Sequence, residues 1–312
     1  MATKKITLRA FLFAKESTLM TPPDDILGSV KKCLESTVAE NREMQLNQED
    51  ETRESDLLSG YEIQENNIFA TMMRIAPGAD DTHIDETLMK KKSFSVGEMK
   101  QSSTTDSAIY KSHYYICFNN NYLVTNLPRT TSISRVETYL NWLLKSHKYS
   151  IVPVVIPTPN LTLADVNTIT FKPYAASKKN PHEGQSDVKS KWVALADSVL
   201  AKIPELLFGE SESLPDIEWK SVISAELILK IKDQSKIKNE EFQKIFGSLL
   251  KPVSEADQIV LKNRKGESIK GSEILKTKPV EIEMTENKFL VEPNLHQEMA
   301  RFLDELAGTK IS

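Results

Sequence analysis

Residues 109–125 read IYKSHYYICFNNNYLVT, and this stretch decides how the fold is built. Aromatic and β-branched residues dominate both of its ends, as is typical of strands. The three asparagines at 119–121 lie between these ends and tolerate the positive φ angles of tight turns. The stretch therefore predicts a β-hairpin.

A helix and a further strand are predicted directly after this hairpin. Ser134 and Glu137 have the spacing of a capping box, in which two side chains accept hydrogen bonds from the free N–H groups at a helix start. Apolar residues at helical spacing continue to Leu144, and residues 151–156 are again typical of a strand. Because an amphipathic helix between strands must cover a sheet, the region predicts an α+β core.

The rest of the chain mixes strands and helices irregularly. We therefore expect an α+β protein of two domains, each a mostly antiparallel sheet packed with amphipathic helices. Residues 175–185 are rich in lysine, asparagine, proline and glycine, so they predict the boundary between an N-terminal α+β domain at 1–176 and a C-terminal α+β domain at 177–312. In the second domain, residues 259–261 and 268–269 flank a polar turn that contains glycine, which predicts another hairpin.

Composition restricts the class of protein. The chain has 312 residues, of which 39% are hydrophobic and 27% are charged, and its formal net charge is −4. It contains no run of about 18 apolar residues, which a membrane span would need, and no secretory signal pattern. Cys33 and Cys117 are too few for a disulfide framework, so we expect a cytoplasmic protein. The charge is uneven, because residues 258–278 carry six basic side chains against two acidic ones.

The common catalytic and metal-binding motifs are missing from this sequence. Its five histidines show neither HxH nor HExxH spacing, and its ten glycines form no phosphate-binding loop. No GxSxG elbow is present either. We therefore expect no metal site, no cofactor, no P-loop hydrolysis and no α/β-hydrolase chemistry.

Two features leave alternative functions open. Asp216, Glu218 and Lys220 lie on one face of a predicted strand, a pattern that suits a metal-dependent nuclease but equally a solvated strand start. Residues 45–59 are polar and acidic, so they predict an exposed loop. Such a loop would suit a protein-interaction module without any role in nucleic-acid binding.

Basic residues gather in two places that could contact phosphates. The candidate residues are Lys178, Lys179, Lys189 and Lys191 across the domain boundary and the following helix start, and Lys262, Arg264, Lys265 and Lys270 around the second hairpin. A hairpin with a basic tip can enter a groove of DNA, and lysines at a helix start can meet its phosphates. A solvated turn and a polar linker would have the same composition. Residues 230–238 add four more lysines.

Several segments, in their order along the chain, carry a resemblance to a known family. They are the opening strand KITLRAFL at 5–12, the strand IFATM at 68–72 before a polar lysine-bearing segment, the helix entry PRTTS at 128–132, and DQIVL at 257–261 before a charged glycine turn and a closing helix. This succession resembles the RexA proteins of lambdoid prophages, which act in phage exclusion. The resemblance is one of architecture along most of the chain.

The resemblance implies a cytoplasmic homodimer that binds duplex DNA with little sequence preference and works with a small integral-membrane partner encoded beside it. Such a partner would recruit the protein to the inner membrane, and other two-gene anti-phage systems share this plan. We therefore expect a non-enzymatic DNA-binding protein that acts in antiviral defence through abortive infection. Because the chain is acidic in total, its binding would have to come from a local basic patch.

Overall fold

The structure is a computed structural model that describes part of the chain. These are residues 2–15, 25–46, 54–76, 83–84, 86–99, 108–128, 132–145, 149–156, 166–171, 227–230 and 259–308. The strands in these ranges are β1 (Thr3–Lys15), β2 (Glu43–Gln45), β3 (Ser55–Ile63), β4 (Ile68–Ala76), β5 (His83–Ile84), β6 (Ala108–Phe118), β7 (Tyr122–Thr125), β8 (Tyr149–Pro153), β9 (Val166–Phe171), β10 (Leu227–Lys230), β11 (Ile259–Asn263), β12 (Ser268–Lys270) and β13 (Thr277–Glu283). The helices are α1 (Ile26–Ser36), α2 (Glu86–Met89), α3 (Val96–Met99), α4 (Ser134–Leu143) and α5 (Glu292–Gly308), with 3-10 helices at Ala39–Arg42 and Gly271–Ile274.

The larger sheet consists of nine strands, all paired antiparallel. Its order is β13-β1-β7-β6-β4-β3-β2, with β5 added to β6 and β8 added to β1. The strand β1 joins three others: its residues 3–9 pair with β13 and its residues 11–15 with β8, while residues 9–12 pair with β7 on the opposite edge. The strand predicted from the N-terminal sequence is therefore confirmed, and it is the junction of the sheet.

The helix α5 covers one face of this sheet. Its apolar residues recur at helical spacing and pack on alternate residues of the strands beneath, as an amphipathic helix requires. The buried cluster comprises Leu8, Ala10, Phe69, Tyr115, Cys117, Val124, Val154, Val280, Ile282, Leu295, Met299, Phe302, Leu303 and Leu306. Two strands distant in the sequence, β1 and β13, thus share one core with the closing helix.

Alternation along β1 directs Phe11 and Phe13 to the opposite face of the sheet. The ring of Phe13 meets Phe118 edge-on, with 6.1 Å between the ring centroids. On α4, the fully buried hydroxyl of Tyr139 donates to the carbonyl of Arg42 at 2.6 Å and accepts from the N–H of Leu58 at 3.1 Å. One hydroxyl therefore ties α4 both to β3 and to the 3-10 helix beside it.

The smaller sheet has four strands in the order β10-β9-β11-β12, again antiparallel. Ile169 and Leu261 lie opposite each other on one face and are 3% and 0% exposed. Ile259 lies on the same face at 4% exposure. This face of the sheet is therefore apolar and buried, as expected for an antiparallel sheet that presents its other face to water.

The chain divides into two compact units. The first consists of residues 1–154 together with 276–312, and the second consists of residues 155–275. This division differs from the predicted boundary at 176–177, because β13 pairs with β1 and α5 packs on the same sheet. Residues 276–312 therefore belong to the first unit, which is assembled from two separate segments of the chain.

The α+β class and the mostly antiparallel sheets are as predicted. The structure confirms the hairpin at 109–125, which forms β6 and β7, the helix after it, and the strand that follows that helix. It also confirms the second predicted hairpin, which forms β11 and β12. Among the described residues, no helix combines the length and apolar character needed to cross a bilayer.

Three local predictions are wrong. Residues 55–59 belong to β3 and are buried rather than part of an exposed acidic loop, and residues 47–53 lie outside the described residues. Apolar residues at helical spacing from Ile26 to Val38 predict a helix that runs to about residue 44, but this helix ends at Ser36. Ser134 and Glu137 do not form the predicted capping box: the N–H of Ser134 donates to Oγ of Ser132 at 3.2 Å, and the carboxylate of Glu137 accepts from the N–H of Ile151 in β8 at 2.5 Å. Glu137 thus serves a contact between elements rather than a helix cap.

Candidate nucleic-acid interface

The basic hairpin of the second unit is formed by β11 and β12. Leu261 pairs with Ile269 across it, and Lys262 pairs with Ser268. Alternate residues of β11 are buried, which anchors this strand to the apolar side of its sheet. The hairpin is therefore held from one side, and its turn projects from a fixed base.

The side chain of Asn263 organises the turn. Its Oδ1 accepts from the N–H of Lys265 at 3.0 Å and from the N–H of Glu267 at 2.9 Å. The backbone N–H of Gly266 donates to the carbonyl of Asn263 at 3.1 Å, and the φ of Gly266 is +85°. Glycine adopts this left-handed conformation without steric cost, so the sequence Asn263–Gly266 suits a three-residue hairpin loop.

Four of the predicted binding residues come together on this hairpin. Lys262, Arg264, Lys265 and Lys270 are all exposed, and none of their side chains forms an ion pair with another described residue. Exposed cations without partners retain their full charge for an external anion.

The acidic residues nearby are held by other donors. The Oε2 of Glu267 accepts from Nδ2 of Asn263 at 2.6 Å, and the Oε1 of Glu273 accepts from the backbone N–H of Lys270 at 3.3 Å. These two carboxylates are the acidic groups within residues 259–275. Neither forms an ion pair with the four cations of the hairpin, so the hairpin keeps an excess of positive charge.

The other predicted site residues lie outside the described part of the chain. These are Lys178, Lys179, Lys189 and Lys191 of the first basic cluster, and Asp216, Glu218 and Lys220 of the acidic set. Within the described ranges, no group of three histidine, cysteine, aspartate or glutamate side chains is placed to hold a metal ion.

Sequence reasoning missed a polar cluster around His296 of α5, in the first unit. This ring is buried and stacks on Phe69 at 4.8 Å with 20° between the planes. Its Nδ1 lies 3.1 Å from Oε2 of Glu62, and its Nε2 lies 2.9 Å from Oδ1 of Asn67. Because 229 positions separate His296 from Asn67, no local pattern in the sequence could have revealed this contact.

A groove of about 320 Å³ opens beside His296.

The thiol nearest to this cluster is Cys117, whose Sγ lies 3.7 Å from Oδ1 of Asn67. Burial raises the pKa of the Cys117 thiol, which suppresses the thiolate needed for nucleophilic chemistry. The cluster joins α5 to the end of β3 and to the turn that follows it.

A second buried polar contact joins α4 to β3. The guanidinium of Arg135 donates through Nε and Nη2 to the two carboxylate oxygens of Asp56, which is 1% exposed. Burial raises the pKa of Asp56, and the hydrogen bonds and charge of Arg135 oppose that shift. A buried ion pair of this kind orients the elements that carry it, and loss of one partner would leave an uncompensated charge.

Neither protein-family profiles nor the sequences of characterised proteins match this chain.

Proposed function

We propose that this protein binds duplex DNA with little sequence preference and without a chemical step, and that it acts in phage exclusion. The observation that supports the proposal is the set of four exposed cations on one anchored hairpin, Lys262, Arg264, Lys265 and Lys270, without ion pairs among the described residues. Basic side chains contact the phosphate backbone, which has the same charge whatever the base sequence.

The shape of the hairpin suits this function. A two-stranded ribbon fits the major groove of DNA, and Arg264 and Lys265 lie at the tip, where they would meet the backbone first. Lys262 and Lys270 lie behind the tip on the two strands. The backbone of the turn is held in place, because Oδ1 of Asn263 accepts two hydrogen bonds from it.

The net charge of −4 makes this binding local rather than a property of the whole surface. A protein that binds through a few phosphate contacts releases the counterions of those phosphates only. We therefore expect the logarithm of the binding constant to fall with the logarithm of salt concentration by about 0.9 for each phosphate contact. Four contacts would give a slope of roughly −4.

Replacement of Lys262, Arg264 and Lys265 together by alanine tests the proposal. The variant should keep the thermal unfolding of the wild type, because the three side chains are exposed and without ion pairs. Its affinity for unrelated duplexes should fall strongly, and its salt slope should become shallower by about 3. Fluorescence anisotropy between about 50 and 200 mM salt measures both quantities.

A matched control is the triple replacement of Lys5, Lys31 and Lys32 by alanine, because these lysines of the first unit are exposed as well. It removes the same net charge, so it should leave the salt slope unchanged if the hairpin carries the binding. Absent or salt-insensitive binding by the wild type would contradict the proposal.

The cellular part of the proposal rests on the resemblance to the RexA proteins. We propose a cytoplasmic homodimer that works with a small integral-membrane partner and reaches the inner membrane through it. A neighbouring gene for a small polytopic membrane protein, and co-purification of its product with this chain, would support this arrangement. Loss of phage exclusion in the hairpin variant would show that the cellular role depends on DNA binding.

A further inference from the structure

The strand register of the smaller sheet brings lysines from three strands onto one face. Residues that lie opposite each other on antiparallel strands share a face of the sheet. One row across the sheet is Lys230, Thr168, Lys262 and Ser268, and the next row is Ile228, Thr170, Val260 and Lys270. Lys230 is distant from the other two lysines in the sequence, and Lys262 and Lys270 lie on different strands. Only the pairing of the strands places all three on one face.

This face is the outward one. The residues between these rows, such as Ile169 and Leu261, point to the opposite face and are buried. Lys230, Lys262 and Lys270 are exposed, and Ile228 is 51% exposed. Of the eight residues in the two rows, Thr170 is the buried one, at 6% exposure. Like the two hairpin lysines, Lys230 forms no ion pair with another described residue.

We infer that the lysine face, defined by Lys230, Lys262 and Lys270, lies against the backbone of duplex DNA, and that Lys230 is a phosphate-contacting residue beyond the hairpin. The inference rests on the proposed function, and it adds to it a binding residue outside the hairpin. The charge of the face is complementary to a polyanion, because the two rows contain three lysines and no carboxylate.

The dimensions of the face favour a duplex. Adjacent strands are about 4.8 Å apart, so Lys230 and Lys262 are separated by about 10 Å, and β10 and β12 by about 14 Å. The major groove of B-DNA is about 12 Å wide. Lysine side chains from the two ends of the face can therefore reach phosphates on both sides of a groove, whereas a single strand offers one line of phosphates.

The chemistry of the face also favours a duplex. Surfaces that bind single strands combine basic side chains with aromatic rings on which the bases stack. The two rows contain hydroxyl, aliphatic and lysine side chains but no aromatic one. Hydroxyl groups such as that of Ser268 donate hydrogen bonds to phosphate oxygens, so the face is equipped for the backbone rather than for exposed bases.

The replacement Lys230→Gln tests the inference, with Lys32→Gln as its control. Both changes remove one exposed lysine, and the control removes it from the first unit. With a mixed-sequence duplex, Lys230→Gln should bind more weakly and reduce the steepness of the salt slope by about 1, while Lys32→Gln should match the wild type. A single strand of the same length should compete less well than the duplex. Thermal unfolding of each variant checks that its fold is retained.

The outcomes separate this inference from the proposed function. If the hairpin triple variant loses affinity while Lys230→Gln has the same salt slope as Lys32→Gln, the inference about the lysine face is wrong. The proposed binding site on the hairpin is then retained. If a single strand competes better than the duplex, the assignment to a duplex is wrong for the hairpin and for the lysine face alike. If the wild type does not bind DNA, the proposed function and the inference both fail.

Discussion

At the scale of single residues, His113 on β6 shows how burial determines a response to pH. Its ring meets Tyr115 edge-on at 5.3 Å and Phe289 at 6.0 Å between centroids. Burial, together with the positive charge of Lys4, lowers the pKa of His113 from 6.5 to about 4. Between these pH values the unfolded chain binds a proton that the folded chain does not, so the free energy of unfolding falls as the pH falls.

The replacement His113→Phe should weaken this pH dependence. Phenylalanine keeps an aromatic ring between Tyr115 and Phe289 but cannot be protonated. The stability that His113 contributes is fully present above pH 6.5 and is lost as the pH falls through about 4, with an upper limit of roughly 3 kcal/mol. Denaturant unfolding at pH 7.0, 6.0, 5.0 and about 4 should therefore show a smaller loss for the variant than for the wild type.

The difference between variant and wild type is the informative quantity, because other groups titrate in the same range. Burial raises the pKa values of Asp56 and Glu292, and a raised carboxyl pKa favours the folded state at low pH. Both groups are present in both proteins and cancel in the comparison. Parallel stability curves over the whole range would show that His113 does not titrate as its burial implies.

At the scale of elements, the hairpin β11–β12 depends on a turn that only certain residues can form. Asn263 accepts from two backbone N–H groups, and Gly266 supplies the positive φ that closes the loop. Both residue types are typical of such turns, which is why the hairpin could be predicted from its sequence. The predicted capping box of Ser134 and Glu137 has an equally typical spacing, yet the carboxylate of Glu137 accepts from a backbone N–H of β8 instead. A short pattern therefore predicts an element well only where no partner from elsewhere competes for its side chains.

The replacement Gly266→Ala should destabilise the hairpin through its backbone alone. No atom lies within 4 Å of the position that a Cβ would take, so no steric contact adds to the effect. An alanine held in the left-handed conformation costs roughly 1–2 kcal/mol. We expect weaker DNA binding without any change of charge, measured by anisotropy, and a lower unfolding temperature of the second unit.

Gly308→Ala is the matched control for this prediction. Gly308 ends α5, its Cβ position is equally open, and its φ is not in the left-handed region. Alanine should be neutral or slightly stabilising there, because it favours helices more than glycine does. Equal effects of the two replacements would show that the turn conformation of Gly266 does not matter for binding.

At the scale of the whole molecule, the second unit is an insertion into the first. The backbone N–H of Lys276 donates to the carbonyl of Val154 at 2.8 Å, so the chain leaves the first unit and re-enters it at adjacent points. The returning strand β13 and helix α5 complete the sheet and its core. The first unit therefore needs residues from both sides of the insertion.

Replacement of residues 155–275 by a glycine–serine linker of about four residues should leave the first unit folded. The two ends to be joined are hydrogen-bonded, so a short linker can connect them without strain. The shortened protein should unfold cooperatively in circular dichroism and should not bind DNA, because it lacks the hairpin. A chain that stops at residue 154 should fail to fold, since it lacks β13 and α5. Retained DNA binding by the shortened protein would locate the site in the first unit.

The sequence by itself determined the local elements. Strand and turn composition at 109–125 and 259–270 predicts both hairpins, and helical spacing predicts α4 and α5, because these signals depend on neighbouring residues alone. The exposure of Lys262, Arg264, Lys265 and Lys270 also follows from a polar turn between two strands. These parts of the fold and of the candidate site needed no knowledge of distant contacts.

Only the tertiary structure decided which distant segments meet. Burial of residues 55–59, whose polar composition resembles a loop, depends on their neighbours β2 and β4 in the sheet. The return of β13 to β1 and the placing of Lys230 in one row with Lys262 depend on strand order and register. The physical reason is that pairing between strands is set by the burial of their combined apolar faces, a property of the assembled sheet that no local stretch of sequence contains.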